Sequence, residues 1–148
     1  MIEYEHVVKF LKEVDAEFPV PLSSKVDIQD LSKKYCEKAT LCVRCEGERI
    51  IAMVAGYLEN TPNELGYISL VATTGDARRK GYSSALLRDF LVLATNKGLK
   101  GVHVYTHKSN FRAVGMYRKV GFVDYSPVDE PYPEDYHFIY YLETSKGE

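Results

Sequence analysis

The chain has no tryptophan, three cysteines and six prolines among its 148 residues, and no apolar run approaching the eighteen or so residues of a membrane span. Each shortage excludes something. Three cysteines, at positions 36, 42 and 45, are too few and too close for a disulfide framework, which points to a reducing compartment. No basic-then-apolar leader opens the chain, so neither a membrane partner nor secretion is expected, and a cytoplasmic location is. Charge of one sign is scarce too. Nineteen Lys and Arg against 21 Asp and Glu leave a net charge of −2, and no nucleic-acid partner is expected beyond what one local basic loop could offer. Internal repeats and low-complexity segments are absent.

With 45% apolar residues, 148 residues suffice for one hydrophobic core and are short for two, so residues 1–148 read as a single domain. Cys42-Val43-Arg44-Cys45 matches CxxC, but a zinc site needs two further ligands and no second CxxC or HxxxH supplies them. His6, His103, His107 and His137 are scattered. On a strand the i, i+3 spacing also sends the two thiols to opposite faces, so no metal is expected.

What is present centres on Tyr67 to Leu87, YISLVATTGDARRKGYSSALL. Residues 67–73 are apolar or β-branched with no charge, as a central strand should be. Gly75 and Asp76 break the run, and Ala85, Leu86, Phe90, Leu91 and Ala94 recur at helical spacing, which starts a helix near Gly81 or Tyr82. Such a turn leaves unpaired amides at the helix start. Gly81 admits an anion close to the backbone, Ser83 and Ser84 add small hydroxyl donors, and Arg78, Arg79 and Lys80 add positive charge. A pyrophosphate would be held well. Neither GxxxxGK[ST] nor GxGxxG is present, which disfavours a mononucleotide P-loop or a dinucleotide fold. A solvated basic helix start is the bland reading of the same residues.

Arg78-Arg79-Lys80-Gly81-Tyr82-Ser83 resembles the [Q/R]xxGx[G/A] acyl-CoA signature of the GNAT N-acetyltransferase superfamily, with Ser83 where Gly or Ala is usual. Downstream, Asn110 to Phe122, NFRAVGMYRKVGF, is similar to the family's NxxAxxxYxxxGF block. The resemblance covers roughly residues 40–143. It implies an α/β (α+β) fold: a mixed central sheet of about six to seven strands, flanked by about four helices and splayed at its two parallel central strands.

The remaining periodicities fit that plan. Residues 2–18 form an amphipathic helix ended by Pro19 and Pro21, and Asp27 caps a second helix with Ile28, Leu31, Tyr35 and Cys36 inward. Phe18, Pro21 and Leu22, between them, read either as acceptor-pocket residues or as a packing connector. TLCVRCE and RIIAMVAGYLE form a hairpin around Gly47 and precede the central strand in an antiparallel meander. Helix 81–96 and the strand GVHVYTH then give a parallel pair with a right-handed crossover. A helix after Asn110 carries Val114, Tyr117 and Val120 on one side. Two last strands, 122–125 and 136–142, flank SPVDEPYPEDY, whose Asp129, Glu130, Glu134 and Asp135 either attract a cationic amine or are simply solvated.

The resemblance also implies the chemistry. Backbone of Val71, Ala72 and Thr73 would pair with a pantetheine arm, and an amide near Val71 would polarise the thioester carbonyl. Arg78, Arg79, Lys80, Gly81, Tyr82, Ser83 and Ser84 would hold the pyrophosphate of acetyl-CoA. Asn110 would contact the cofactor or cap its helix. Tyr117 aligns with the family's general acid, and a phenol protonated at neutral pH can donate to a departing thiolate. The positions where the family often places a carboxylate base hold Tyr67 and Tyr105. That leaves water held by Tyr67, Ser69 or Tyr105, or else His103, His107, Glu64 or a tail-loop acid, as bases. The expected activity is transfer of the acetyl group of acetyl-CoA to a primary amine of a small molecule or peptide, by direct attack in a ternary complex. The alternative is a non-catalytic acyl-CoA sensor on the same fold. A homodimer is common in the resembling family. A phosphate-loop kinase lacks its lysine and acid set.

Overall fold

The computed structural model describes residues 2–126 and 132–143. Four helices, α1 (Tyr4–Val14), α2 (Ile28–Lys38), α3 (Tyr82–Asn96) and α4 (Phe111–Val120), enclose a mixed sheet. Its strands are β1 (Thr40–Glu46), β2 (Arg49–Tyr57), β3 (Leu65–Thr73), β4 (Gly101–His107), β5 (Val123–Asp124) and β6 (Asp135–Tyr141), in the order β1-β2-β3-β4-β6-β5. All neighbours are antiparallel except β3 and β4. That matches the expected mixed sheet, with six strands among the described residues.

Each sheet face has its own core. Leu86, Leu87, Phe90, Leu91 and Ala94 of α3 and Tyr117 of α4 pack on Ala52, Val54, Ile68, Val102, Val104 and Phe138. On the other face Val7, Phe10, Leu11 and Val14 of α1 and Tyr35 of α2 cover Met53, Ala55 and Leu70. Some expected inward residues differ. Ala85 is exposed and Leu87 is buried in its stead, while α2 turns Ile28, Ser32 and Tyr35 inward and leaves Cys36 exposed. Ser32 fits the core because its hydroxyl donates to the Ile28 carbonyl at 2.8 Å. The first helix stops at Val14, before either proline, and passes into a 3-10 turn at Asp15–Glu17. Cys42 packs toward α3 and Cys45 is exposed, on opposite faces as strand alternation demands. Among the described residues no group of His, Cys, Asp and Glu is placed to hold a metal, and no helix is long and apolar enough to cross a membrane. Of the tail-loop acids, Asp129 and Glu130 lie outside the described residues.

Two irregularities position everything that follows. Ala55 pairs with Leu70 but Gly56 with Ile68, so β3 carries an extra residue, Ser69. A bulge of this kind bends its strand and resets the alternation, which is why Ile68 joins the α3 core and Leu70 the α1 core although they are two apart. The second irregularity lies next to it. β3 pairs with β4 only over Leu65–Ile68 and Gly101–Val104, after which β3 continues along β2 and β4 along β6. The two parallel strands therefore part.

Gly56 makes the bulge possible. A Cβ there would lie 2.5 Å from Phe90 Cζ and 2.6 Å from the Tyr67 carbonyl oxygen. Backbone cannot yield as a flexible side chain can, so Gly56→Ala is expected to cost about 2 kcal/mol through overpacking, read as a lower urea midpoint with unchanged slope.

Candidate active site

The parted strands open a cavity of about 700 Å³. One wall is the end of β3, with Val71, Ala72 and Thr73; the floor is the loop and helix start at Arg78, Arg79, Gly81, Tyr82, Ser83 and Ser84. Asn110, Arg112, Ala113 and Met116 close the far side. Ten of the residues singled out by sequence thus share one cavity. Lys80 and Tyr117 do not line it.

The floor is built from unusual backbone. Arg79 and Gly81 take left-handed conformations, φ 67° and 78°, flanking the entry to α3. Turns of this kind form anion-binding concavities, and the helix dipole adds to them. Among the described residues the amides of Gly81, Tyr82, Ser83 and Ser84 donate to no acceptor; the first bonded amide is that of Ala85, to the Gly81 carbonyl. Four donors are left for a ligand. The Ser83 hydroxyl, in contrast, is engaged with that of Thr73, tying α3 to the end of β3. Arg78 pairs with Glu17, and burial, with Arg112 nearby, pulls its guanidinium below the ordinary value. Arg112 is a lining residue that the sequence reading missed, because it falls on a variable position of the second block. Asp76 holds the loop down: Arg49 clamps it with two bonds of 3.1 Å, which together with Thr74 lowers its carboxyl to about 2.

Asn110 acts as a helix cap, its Oδ1 accepting from the Ala113 amide at 3.3 Å, while it also faces the cavity. Phe18 lines this cavity too, whereas Pro21 and Leu22 do not. Tyr117 is 3% exposed, its ring against Phe122 and Phe138, and no described residue hydrogen-bonds its hydroxyl. Burial pushes its pKa up, with a smaller contribution from Tyr67. Tyr67 lies on the opposite face of the sheet, so the two phenols sense each other where β3 and β4 separate.

The opposite face of β4 bears His103, Tyr105 and His107. It is not the α3–α4 face, since Val102 and Val104 occupy that one. Nor do α1 and α2 cover it: their core takes residues from β1, β2 and β3 only. Rings cover it instead. Tyr67 lies 5.2 Å from His103, Tyr105 stacks on His137 at 4.0 Å, and Tyr132 meets Tyr105 edge-on at 4.8 Å.

A family model described as Acetyltransferase (GNAT) family matches residues 7–122. The chain belongs to the GNAT acetyltransferase family. An acetyltransferase of that family from Streptococcus pneumoniae superposes with a TM-score of 0.74 at 18% identity, over 95% of this chain and 93% of the other. PaiA N-acetyltransferase from Thermoplasma acidophilum, in complex with coenzyme A, gives 0.70 at 12% identity, over 94% and 92%. Both likenesses concern the fold. In sequence, GCN5-related N-acetyltransferase 6, chloroplastic, of Arabidopsis thaliana is 37% identical over 60 residues, 40% of this GNAT chain. The matched stretch is 21% of that longer protein.

Proposed function

We propose that this GNAT chain is an acetyl-CoA-dependent N-acetyltransferase, acting through residues 1–148 as one domain on a primary amine of a small molecule or peptide. The observation that carries the reading is the row of unbonded amides at Gly81–Ser84, set at the base of a cavity whose wall is the stretch of β3 that no longer pairs with β4. Those amides, with Arg79 and Arg112 at the rim, suit a pyrophosphate. The free edge at Val71–Thr73 suits an extended amide-bearing arm, which pairs with it as a further strand would. Coenzyme A supplies both groups and, when acetylated, an activated acyl carbon.

The residues then act as follows. An amide near Val71 polarises the thioester carbonyl, and the acceptor amine attacks directly, with no covalent enzyme intermediate. As the C–N bond forms and the C–S bond breaks, Tyr117 donates its proton to the sulfur. Its raised pKa keeps that proton in place at any working pH. No cysteine takes part: Cys42 lies on β1, and burial pushes its thiol up to about 11, which makes it a poor nucleophile at neutral pH. Incubating the protein with acetyl-CoA and a panel of amino sugars, amino acids, polyamines and peptides with free N-termini is expected to release thiol with at least one of them. Tight coenzyme A binding without thiol release on any amine would leave a sensor.

A further inference from the structure

Several of the candidate bases are already engaged elsewhere. The His107 imidazole Nδ1 meets the Ser109 hydroxyl at 2.8 Å and its amide at 3.2 Å, which fixes it in the turn after β4. Glu64 stands before β3, at the end away from the opening, 3.7 Å from Lys100. Ser69 is held by the Tyr35 hydroxyl at 2.6 Å. His103 differs. It pairs across the strands with Tyr67, one residue before β3 and β4 part, and its Nδ1 lies 2.9 Å from Nε2 of His137 on β6.

Resting on the N-acetyltransferase reading, we infer that His103 is the catalytic base that takes the proton of the acceptor amine, and that His137 is its positioning residue. Two imidazole nitrogens at hydrogen-bond distance require one to donate and the other to accept. With His103 Nδ1 as donor, its Nε2 keeps a lone pair for a substrate proton. Once that proton arrives, the imidazolium still donates through Nδ1 to His137, which keeps the ring in its orientation. A carboxylate does this for the histidine of a serine hydrolase; here a second imidazole does it without the negative charge. Tyr105 stacked on His137 and Tyr67 tilted over His103 hold both rings in place.

The protons balance. The amine nitrogen forms its bond to the acyl carbon and gives one proton to His103 Nε2; the sulfur leaves with the C–S electron pair and takes one proton from Tyr117. Transfer from the imidazolium back to the phenolate, through solvent at the opening, restores both residues. Around the pair stand Tyr67 of β3, Tyr105 and His107 of β4, Tyr125 after β5, Tyr132 before β6 and Asp135 of β6. Burial, and then the neighbouring His137, lower the pKa of His103, so it is neutral and able to accept at physiological pH.

The test uses the full chain, acetyl-CoA and an amine that it turns over. In wild type, turnover falls on the acid side through an ionisation in the imidazole range, below that of the amine itself. His103→Gln is expected to lower kcat on the order of 100-fold with KM for acetyl-CoA little changed, and to remove that acid limb. His137→Gln removes the imidazole that holds the His103 pKa down and so moves the limb to higher pH. His6→Gln, on α1, leaves rate and profile as they are. Imidazole NMR titrations of the unliganded proteins are expected to show two coupled histidines in wild type and one uncoupled histidine in each variant of the pair. A folded His103→Gln protein with the wild-type rate and limb would overturn the inference and leave the acetyltransferase reading standing; if that variant does not fold, an unmoved limb in His137→Gln does the same. Failure of wild type to turn over any amine would instead overturn the reading beneath it.

Discussion

Gly81→Glu is expected to weaken acetyl-CoA binding by at least about 100-fold, on the order of 3 kcal/mol, as read by calorimetry. Space is not the reason, because a Cβ at Gly81 would meet nothing within 4 Å. Two other terms act. The backbone at φ 78° is left-handed, which costs a residue with a side chain roughly 1–2 kcal/mol. The carboxylate would also stand beside the four open amides, where it repels a pyrophosphate and competes for their donors. Gly81→Ala carries the first term without the second, so it should lose stability yet retain most of its affinity. Equal affinity in wild type and the glutamate variant, with circular dichroism showing both folded, would remove the pyrophosphate from this turn.

Tyr117→Phe should lower kcat by about 100- to 1,000-fold while the dissociation constant for acetyl-CoA stays within about twofold. The structure makes this unusually clean. The Tyr117 side chain is buried and no described residue hydrogen-bonds its hydroxyl, so deleting that hydroxyl leaves no orphaned group and keeps the ring contacts with Phe122 and Phe138. Melting temperature is therefore expected to hold or rise slightly. Loss of stability with proportional loss of binding would mark Tyr117 as a packing residue and move the proton donor elsewhere.

Much of this was readable along the chain because local chemistry dictated it. The change from strand to helix between Thr73 and Tyr82, the cap at Asn110 and the parallel β3–β4 pair all follow from periodicity and turn residues. Ser69 was not readable as a bulge. In YISLVAT a bulged strand and a regular one have the same composition, and the difference appears only in the partner strand's register. The His103–His137 contact was hidden for a similar reason: the two lie 34 residues apart, joined only when β6 inserts beside β4. Arg112 escaped because nothing about a charged residue in the first turn of α4 distinguishes a ligand from a solvated face.

The hydrogen bond between the Tyr35 and Ser69 hydroxyls ties the irregular point of β3 to a helix instead of to its own ladder. That makes α2 a strut: the tilt at which the downstream segment presents its main chain is set from outside the sheet. On the proposed acetyl-transfer reading, surface changes on α2, or molecules leaning on its outer side, would gain leverage over acyl alignment without touching the thioester, and selection for a different acceptor would work on this helix while the turn before α3 stays unaltered.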